Sequence, residues 1–172
     1  MRTTPGHRPG AASGLASLVR AFGGILACVP IALSAAGTGL TGALDLAGDA
    51  AAMRAAKMPM VVLFSQAGCT YCDAARTYLV PMAQDPANTG RTLFRQIDID
   101  SDVPLSDFAG RKTTHRKLAR TLGGRFTPTV VVLDADGRQL AEPIIGMRLA
   151  DFYGQYVENA VDEARAGLAA RP

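Results

Sequence analysis

Residues 64–73 read FSQAGCTYCD and place two cysteines three positions apart at the junction of two structural patterns. The apolar run 60–64 leads into this stretch and predicts a strand buried on both faces. A helical pattern leaves it over residues 70–83. A CxxC pair at a strand-to-helix turn is typical of a redox-active dithiol. The sequence therefore predicts sulfur chemistry at this turn.

The position of the two cysteines predicts different roles for them. A helix that begins near Cys69 places this sulfur over unpaired backbone N–H groups and the positive end of the helix dipole. Both stabilise a thiolate, so we expect the pKa of Cys69 to lie below the ~8.5 of a free cysteine. Cys72 lies about one turn further along the same helix face. Cys69 is the predicted attacking thiolate, and Cys72 is predicted to resolve the mixed disulfide.

The first 36 residues have a composition of their own. Residues 1–20 contain Arg2, Arg8 and Arg20 and no acidic residue, and residues 21–36 are apolar or small. This order is typical of a signal peptide that ends at a small-residue cleavage site, so we predict export and removal of residues 1–36. An uncleaved membrane anchor that faces the periplasm is the alternative. The apolar run of about 16 residues is shorter than the ~20 that a spanning helix needs.

Removal of this leader changes both the charge and the cysteine count. Three of the 18 basic residues lie in the leader and no acidic residue does, which leaves 15 basic residues against 15 acidic ones. The balanced charge gives no reason to expect nucleic acid as a partner. Cys28 lies in the leader too, so the CxxC pair holds both remaining cysteines. A disulfide across so small a loop adds little stability, which favours a catalytic dithiol over a structural bridge.

The rest of the chain predicts helices and strands in the order α-β-α-β-α-β-β-α. After a linker at 37–45, we expect a helix over 46–57, the strand 60–64, a helix over 70–83 that Pro81 kinks or ends, a loop over 84–91 and a strand over 92–100. There follow a polar irregular segment over 101–113, a helix over 114–122, a strand over 130–133, a turn over 134–137, a returning edge strand over 139–145 and an amphipathic helix from Leu149 to Ala164.

This order, with the CxxC pair after the first strand and Thr127-Pro128 before the third, resembles the thioredoxin fold over about residues 45–166. The resemblance implies an α/β domain at 46–168, with a central mixed four-stranded sheet flanked by helices. The polar segment 101–113 is then an insertion before the helix that precedes a cis-proline. The resemblance also implies that Pro128 is cis and faces the cysteines, which leaves the Thr127 backbone free to pair with substrate. An ordinary trans proline that opens a strand is the alternative.

Exported bacterial thioredoxin-like proteins are the nearest resemblance. They imply a periplasmic thiol:disulfide oxidoreductase that reduces disulfides of other envelope proteins and is recharged by a membrane-embedded electron donor. Its substrate-binding residues would be Thr70, Tyr71, Thr127 and Pro128, with no cofactor besides the redox-active Cys69–Cys72 pair. A disulfide oxidase or isomerase, a copper(I)-binding carrier and a redox-inactive partner-binding domain are the alternatives.

The sequence departs from the family pattern at three places. Gly68 stands where the family usually has Trp, Thr70-Tyr71 replaces the Gly-Pro dipeptide, and Leu63 occupies the position of a buried acid in many members. Proton transfer at Cys72 must therefore use water or another group. These departures leave open the redox potential, which spans roughly −270 to −120 mV in CxxC proteins.

Other polar and aromatic residues have simpler interpretations. We expect His115 and the neighbouring basic residues 111–117 to lie on a solvated surface. The alternative for His115 is a third copper ligand beside the two thiols. We expect core or helix-packing positions for the aromatic residues Tyr78, Phe152, Tyr153 and Tyr156.

Overall fold

The computed structural model describes residues 39–147 and 150–171. The helices are α1 (Leu46–Ala56), α2 (Thr70–Gln84), α3 (His115–Thr121) and α4 (Tyr153–Ala169), with a 3-10 turn at Ala150–Phe152 before α4. The strands are β1 (Met60–Ser65), β2 (Leu93–Asp98), β3 (Pro104–Ser106), β4 (Lys112–Thr114), β5 (Thr129–Leu133) and β6 (Ile144–Ile145). The predicted leader and the predicted helix start at Leu149 lie outside the described residues.

Four of the strands form one mixed sheet in the order β2-β1-β5-β6. Strand β1 runs parallel to β2 and antiparallel to β5, and Phe64 lies opposite both Ile97 and Thr129. Because β1 and β5 are antiparallel, the end of β1 lies beside the start of β5. The loop that carries the CxxC pair and the loop that carries Pro128 therefore meet at the same edge of the sheet.

Helices cover both faces of this sheet. Successive side chains of β1 point to opposite faces, and because all of them are apolar up to Phe64, both faces must be covered. Val62 and Phe64 point into a core that includes residues of α1 and α3. Val61 and Leu63 point into a second core that includes residues of α2 and α4. All of β1 is buried, which explains its continuous apolar sequence. The predicted thioredoxin fold is confirmed.

Most of the segment predicted to be irregular, 101–113, belongs to a hairpin in which β3 pairs with β4, so that prediction was wrong. The carboxylate of Asp107 accepts hydrogen bonds from the backbone N–H groups of Ala109 and Arg111 and from the Arg111 side chain. Gly110 adopts a left-handed φ of 77° within this turn. The Asp107 side chain thus stabilises the turn of the hairpin. The short polar strands alone did not indicate this hairpin.

The predicted ends of α2 and of the returning strand differ in how well they agree with the structure. Helix α2 runs to Gln84, one residue beyond the predicted end, so Pro81 does not end it. Pro81 is exposed, so water can satisfy the carbonyl group that loses its helical partner. The returning strand predicted over 139–145 is continuous only at Ile144–Ile145, with an isolated bridge between Gln139 and Leu133. Pro143 has no N–H to donate between these two points.

The segment predicted as a linker is described from residue 39 and lies along the outer side of β2. The backbone N–H of Gln96 donates to Thr41, and the carbonyl of Gln96 accepts from Ala43, both at 2.9 Å. Ala43 is fully buried, and Asp45 caps α1 by accepting from the N–H of Gly48. Residues 41–43 thus cover the edge of the sheet.

No helix within residues 39–147 and 150–171 has the length and apolar character to cross a lipid bilayer.

Candidate active site

Cys69 and Cys72 are joined by a disulfide bond at the start of α2. Cys69 is the N-cap of the helix, and its Sγ accepts the backbone N–H of Cys72 at 3.1 Å. Cys72 is fully buried, whereas Cys69 is half-buried. An incoming thiol therefore reaches the sulfur of Cys69 and not that of Cys72. The attacking role of Cys69 and the resolving role of Cys72 stay predictions.

The loop before Cys69 is fixed by its backbone. Gly68 has a φ of +67°, a left-handed conformation that a side chain with a Cβ disfavours by roughly 1–2 kcal/mol. This geometry gives a physical reason for glycine at the position where the family usually has Trp. The N–H of Ala67 donates to a carboxylate oxygen of Asp100 at 3.1 Å, which ties the loop to the chain beyond β2.

The Thr127–Pro128 peptide bond is cis, and it precedes β5 beside the CxxC loop. Its surroundings are held by two hydrogen bonds. The hydroxyl of Thr129 donates to the carbonyl of Phe126 at 2.9 Å, and the N–H of Gly146 donates to the carbonyl of Pro128 at 2.8 Å. Within the described part of the chain, the backbone N–H and C=O of Thr127 have no hydrogen-bond partner. A free backbone edge thus lies next to the disulfide.

Exposed apolar side chains surround this edge. Tyr71, between the two cysteines, is 69% exposed, and Phe126, two residues before the cis-proline, is 66% exposed. Ile145 pairs with Thr129 across the sheet and is also exposed. Sequence reasoning identified Tyr71 but assigned no role to Phe126 or Ile145. The position of Phe126 beside Thr127-Pro128 was the available signal.

A sequence model of the thioredoxin-like domain matches residues 46–159, from the start of α1 into α4. The chain belongs to the thioredoxin-like domain family. Together, the family and the bonded CxxC pair identify a thiol:disulfide oxidoreductase. No protein among the curated sequences matches the chain significantly.

Several solved thioredoxins are similar to this thioredoxin-like protein at low sequence identity. Thioredoxin O2 of Arabidopsis thaliana is 15% identical with a TM-score of 0.49, over 72% of this chain and 96% of its own. Mitochondrial thioredoxin 3 of Saccharomyces cerevisiae is 20% identical with a TM-score of 0.47, over 72% and 94%. A thioredoxin mutant of Halobacterium salinarum is 18% identical with a TM-score of 0.48, over 74% and 96%.

A polar network underlies the first turn of α2 in this thioredoxin-like domain. The guanidinium of Arg76 donates to Asp73 at 2.6 Å, to the hydroxyl of Ser65 at 2.7 Å and to the side-chain oxygen of Gln96 at 2.9 Å. The amide of Gln96 in turn donates to Asp98 at 2.7 Å. The network borders an open depression of about 470 Å³ beside the CxxC loop, whose lining also includes residues 66, 67, 100 and 101.

His115 is buried, so the prediction that it lies on a solvated surface was wrong. Its Nδ1 accepts the backbone N–H of Asp98 at 3.1 Å, and its Nε2 lies 2.8 Å from the carbonyl oxygen of Ala43. Because Nδ1 accepts, Nε2 carries the proton and donates to that carbonyl. Both nitrogens are engaged, and His115 can bind copper only if one of these hydrogen bonds breaks.

The basic and acidic residues around α3 pair with one another. Arg116 donates to both carboxylate oxygens of Asp102, and Arg111 pairs with Asp107. The hydrogen bond from Arg116 lowers the pKa of Asp102. Within the described residues, no three side chains of His, Cys, Asp or Glu are grouped to hold a metal ion.

The aromatic residues of the last helix divide between core and surface. Tyr153 is fully buried, its ring centroid lies 5.6 Å from that of Tyr78, and burial raises the pKa of its hydroxyl to about 12. Phe152 and Tyr156 are exposed, so the prediction that they are core or packing residues was wrong. Phe152 lies in the 3-10 turn before α4 and Tyr156 within α4, so the predicted apolar stripe is wider than the buried face of this helix.

Proposed function

We propose that this protein is an exported, periplasmic oxidoreductase that reduces disulfide bonds of other envelope proteins. The observation that carries the proposal is the asymmetry of the cysteine pair. Cys69 is accessible and caps a helix N-terminus, and Cys72 is buried directly behind it. The helix N-terminus favours a thiolate at Cys69. The composition of residues 1–36 supports export.

The proposed reaction is two successive thiol–disulfide exchanges. The Cys69 thiolate attacks one sulfur of a substrate disulfide, forms a mixed disulfide and releases the other substrate sulfur as a thiolate. Cys72 loses its proton to water and attacks Cys69, which breaks the mixed disulfide and forms the Cys69–Cys72 bond. The two substrate thiolates take up protons from water. The substrate gains two electrons and the protein loses two, which a membrane-embedded dithiol donor restores by the same exchange.

The edge formed by Thr127 and Pro128 is the proposed binding site for an extended substrate segment. The unpaired N–H and C=O of Thr127 can hydrogen-bond the substrate backbone as an added strand does. Thr70 and Tyr71 flank the disulfide on the helix side, and Phe126 flanks it on the other side. Apolar residues next to the substrate cysteine would contact the rings of Tyr71 and Phe126. No cofactor besides the dithiol is needed for these steps.

The test is reduction of insulin by the protein without its leader, with dithiothreitol as the electron source. We expect the wild type to accelerate reduction strongly and a Cys69→Ser variant to match the uncatalysed rate. Equal rates for the two proteins would refute the proposal. A Cys72→Ser variant should accumulate the mixed disulfide, detected by mass spectrometry, because its resolving thiol is missing.

The direction of electron flow is tested by the equilibrium of the pair with glutathione. A potential well below the ~−180 mV of protein disulfide isomerase agrees with a reductase. A potential near the ~−120 mV of a strong periplasmic oxidant would instead identify a disulfide oxidase.

A further inference from the structure

We propose that Arg76 raises the redox potential of the Cys69–Cys72 pair by holding a positive charge on the helix face that carries Cys72. The inference rests on the dithiol function proposed above and adds to it the residue that tunes the pair. Within the described residues, Arg76 makes no hydrogen bond to either sulfur. It therefore acts on the cysteine pair through its electric field and not by direct contact.

The geometry of α2 directs Arg76 toward the cysteines. It follows Cys72 by four residues, and side chains at this spacing share one helix face with Cβ atoms about 5–6 Å apart. Long helical side chains point back toward the N-terminus, here toward the disulfide. The bond to Asp73, three residues earlier, shows that Arg76 does so.

Three hydrogen bonds fix the guanidinium in this place. Its partners come from three elements, with Ser65 at the end of β1, Gln96 in β2 and Asp73 in α2. Ser65 is fully buried, and only 24% of the Arg76 side chain is exposed. A charge held in a partly buried position is less screened than one in solvent, so its field reaches the neighbouring sulfur atoms.

The surroundings of the disulfide make this charge important. Leu63, at the position of a buried acid in many relatives, is fully buried among apolar side chains. The buried carboxylates among the described residues belong to Asp107, in the β3–β4 hairpin, and Asp134, beyond the far end of β5. Neither lies at the end of β1 that carries the cysteines. The charges beside the first turn of α2 are thus those of the cation Arg76, of its partner Asp73 and of Asp98, a partly buried carboxylate that lines the same depression as Arg76.

The sign of the effect follows from the charges of the two redox states. The disulfide is neutral, whereas the reduced pair carries a thiolate that a nearby cation stabilises. Arg76 therefore favours the reduced pair and makes the disulfide a stronger oxidant. The carboxylate of Asp73, 2.6 Å from Arg76, partly neutralises this charge and acts in the opposite direction.

The experiment measures the equilibrium with glutathione for a set of variants. We expect Arg76→Gln to raise the equilibrium constant for oxidation of the pair about tenfold, which corresponds to a potential about 30 mV more negative. Asp73→Asn should lower this constant. Arg76→Gln in the Asp73→Asn background should still raise it, because the cation acts independently of its partner. Arg76→Lys keeps the charge and should stay within about twofold of wild type.

Arg95→Gln is the matched control. Arg95 is also partly buried and makes two hydrogen bonds to a carboxylate, that of Asp49, but it lies in β2 against α1. We expect a loss of stability without a change in the equilibrium. Equal shifts for Arg76→Gln and Arg76→Lys, or no shift in Arg76→Gln, would overturn the role of Arg76. A wild-type pair that does not exchange with glutathione at all would instead overturn the proposed function.

Discussion

Nδ1 of His115 accepts a hydrogen bond from the backbone N–H of Asp98, the last residue of β2. The opposite nitrogen of the same ring donates to Ala43, so one buried side chain joins α3, β2 and the segment that covers the sheet edge. His115 thus has a structural role close to the active site.

Replacement of His115 by Phe should destabilise the fold. The ring volume is kept, but the N–H of Asp98 and the carbonyl of Ala43 lose their partner while buried. An unsatisfied buried group costs about 1–3 kcal/mol, so we expect a loss of about 2–5 kcal/mol in the free energy of unfolding. Denaturant titration measures it. Lys117→Gln, an exposed position on the same helix, should change stability by less than about 0.5 kcal/mol. Equal stability of both variants would contradict this account.

The exposed ring of Phe126 should contribute to substrate binding without affecting the chemistry of the sulfurs. We expect Phe126→Ala to reduce kcat/KM for insulin about 5–30-fold, which corresponds to about 1–2 kcal/mol of lost apolar contact. The equilibrium with glutathione should stay at the wild-type value. Leu44→Ala removes a similarly exposed apolar side chain next to β3 and should leave kcat/KM unchanged. A fall in both variants would argue against a specific contact at Phe126.

Asp134 should make the stability of the protein depend on pH in the acid range. Burial raises its pKa, but hydrogen bonds from the N–H of Arg138, the Arg171 side chain and the N–H of Asp136 outweigh burial and lower the pKa below its ordinary value. A carboxyl with a lowered folded pKa stabilises the fold above its unfolded value of about 3.9, and this stability disappears as the pH falls through the folded value.

Asp134→Asn should therefore destabilise the protein at pH 7 by about 1–3 kcal/mol and give a flatter stability profile below about pH 4. Urea titrations at several pH values measure both effects. Asp162→Asn is the comparison, because Asp162 is exposed and its pair with Arg165 is long, at 3.9 Å. If the Asp134→Asn variant and the wild-type protein lose stability in parallel below about pH 4, another carboxyl is responsible.

Gly124 is required by a close contact with Phe64. A Cβ at this position would lie 2.7 Å from a carbon of the buried Phe64 ring. We expect Gly124→Ala to cost about 1–3 kcal/mol by overpacking, measured by denaturant unfolding. Gly167→Ala in α4 meets no atom within 4 Å and should leave stability unchanged or raise it by up to about 1 kcal/mol. Unchanged stability in Gly124→Ala would show that Phe64 moves easily.

Local signals in the sequence sufficed for the elements that position the cysteines. A few consecutive residues are enough to recognise each of three features: the apolar run of β1, the CxxC pair and the Thr127-Pro128 pair. Their meeting at one sheet edge followed from the resemblance. The two cysteines are joined in the structure as the redox pair requires.

Features that depend on residues far away in the sequence could not be predicted from local patterns. The polar neighbours of His115 suggested a surface position, but its hydrogen-bond partners lie 17 and 72 residues away in sequence. No local pattern in the sequence singled out Arg76, on which Ser65 and Gln96 converge from two strands. The three-residue strands of the β3–β4 hairpin are too short for a periodic signal.

The short stretch along the outer side of β2 has a practical consequence for anyone who shortens this protein. The family match begins at residue 46, but Thr41 and Ala43 already satisfy backbone groups of Gln96. A chain trimmed to the family boundary would present bare strand hydrogen-bonding groups, which are a template for self-association. The protein would then lose solubility because residues were removed that take no part in the reaction at the cysteines.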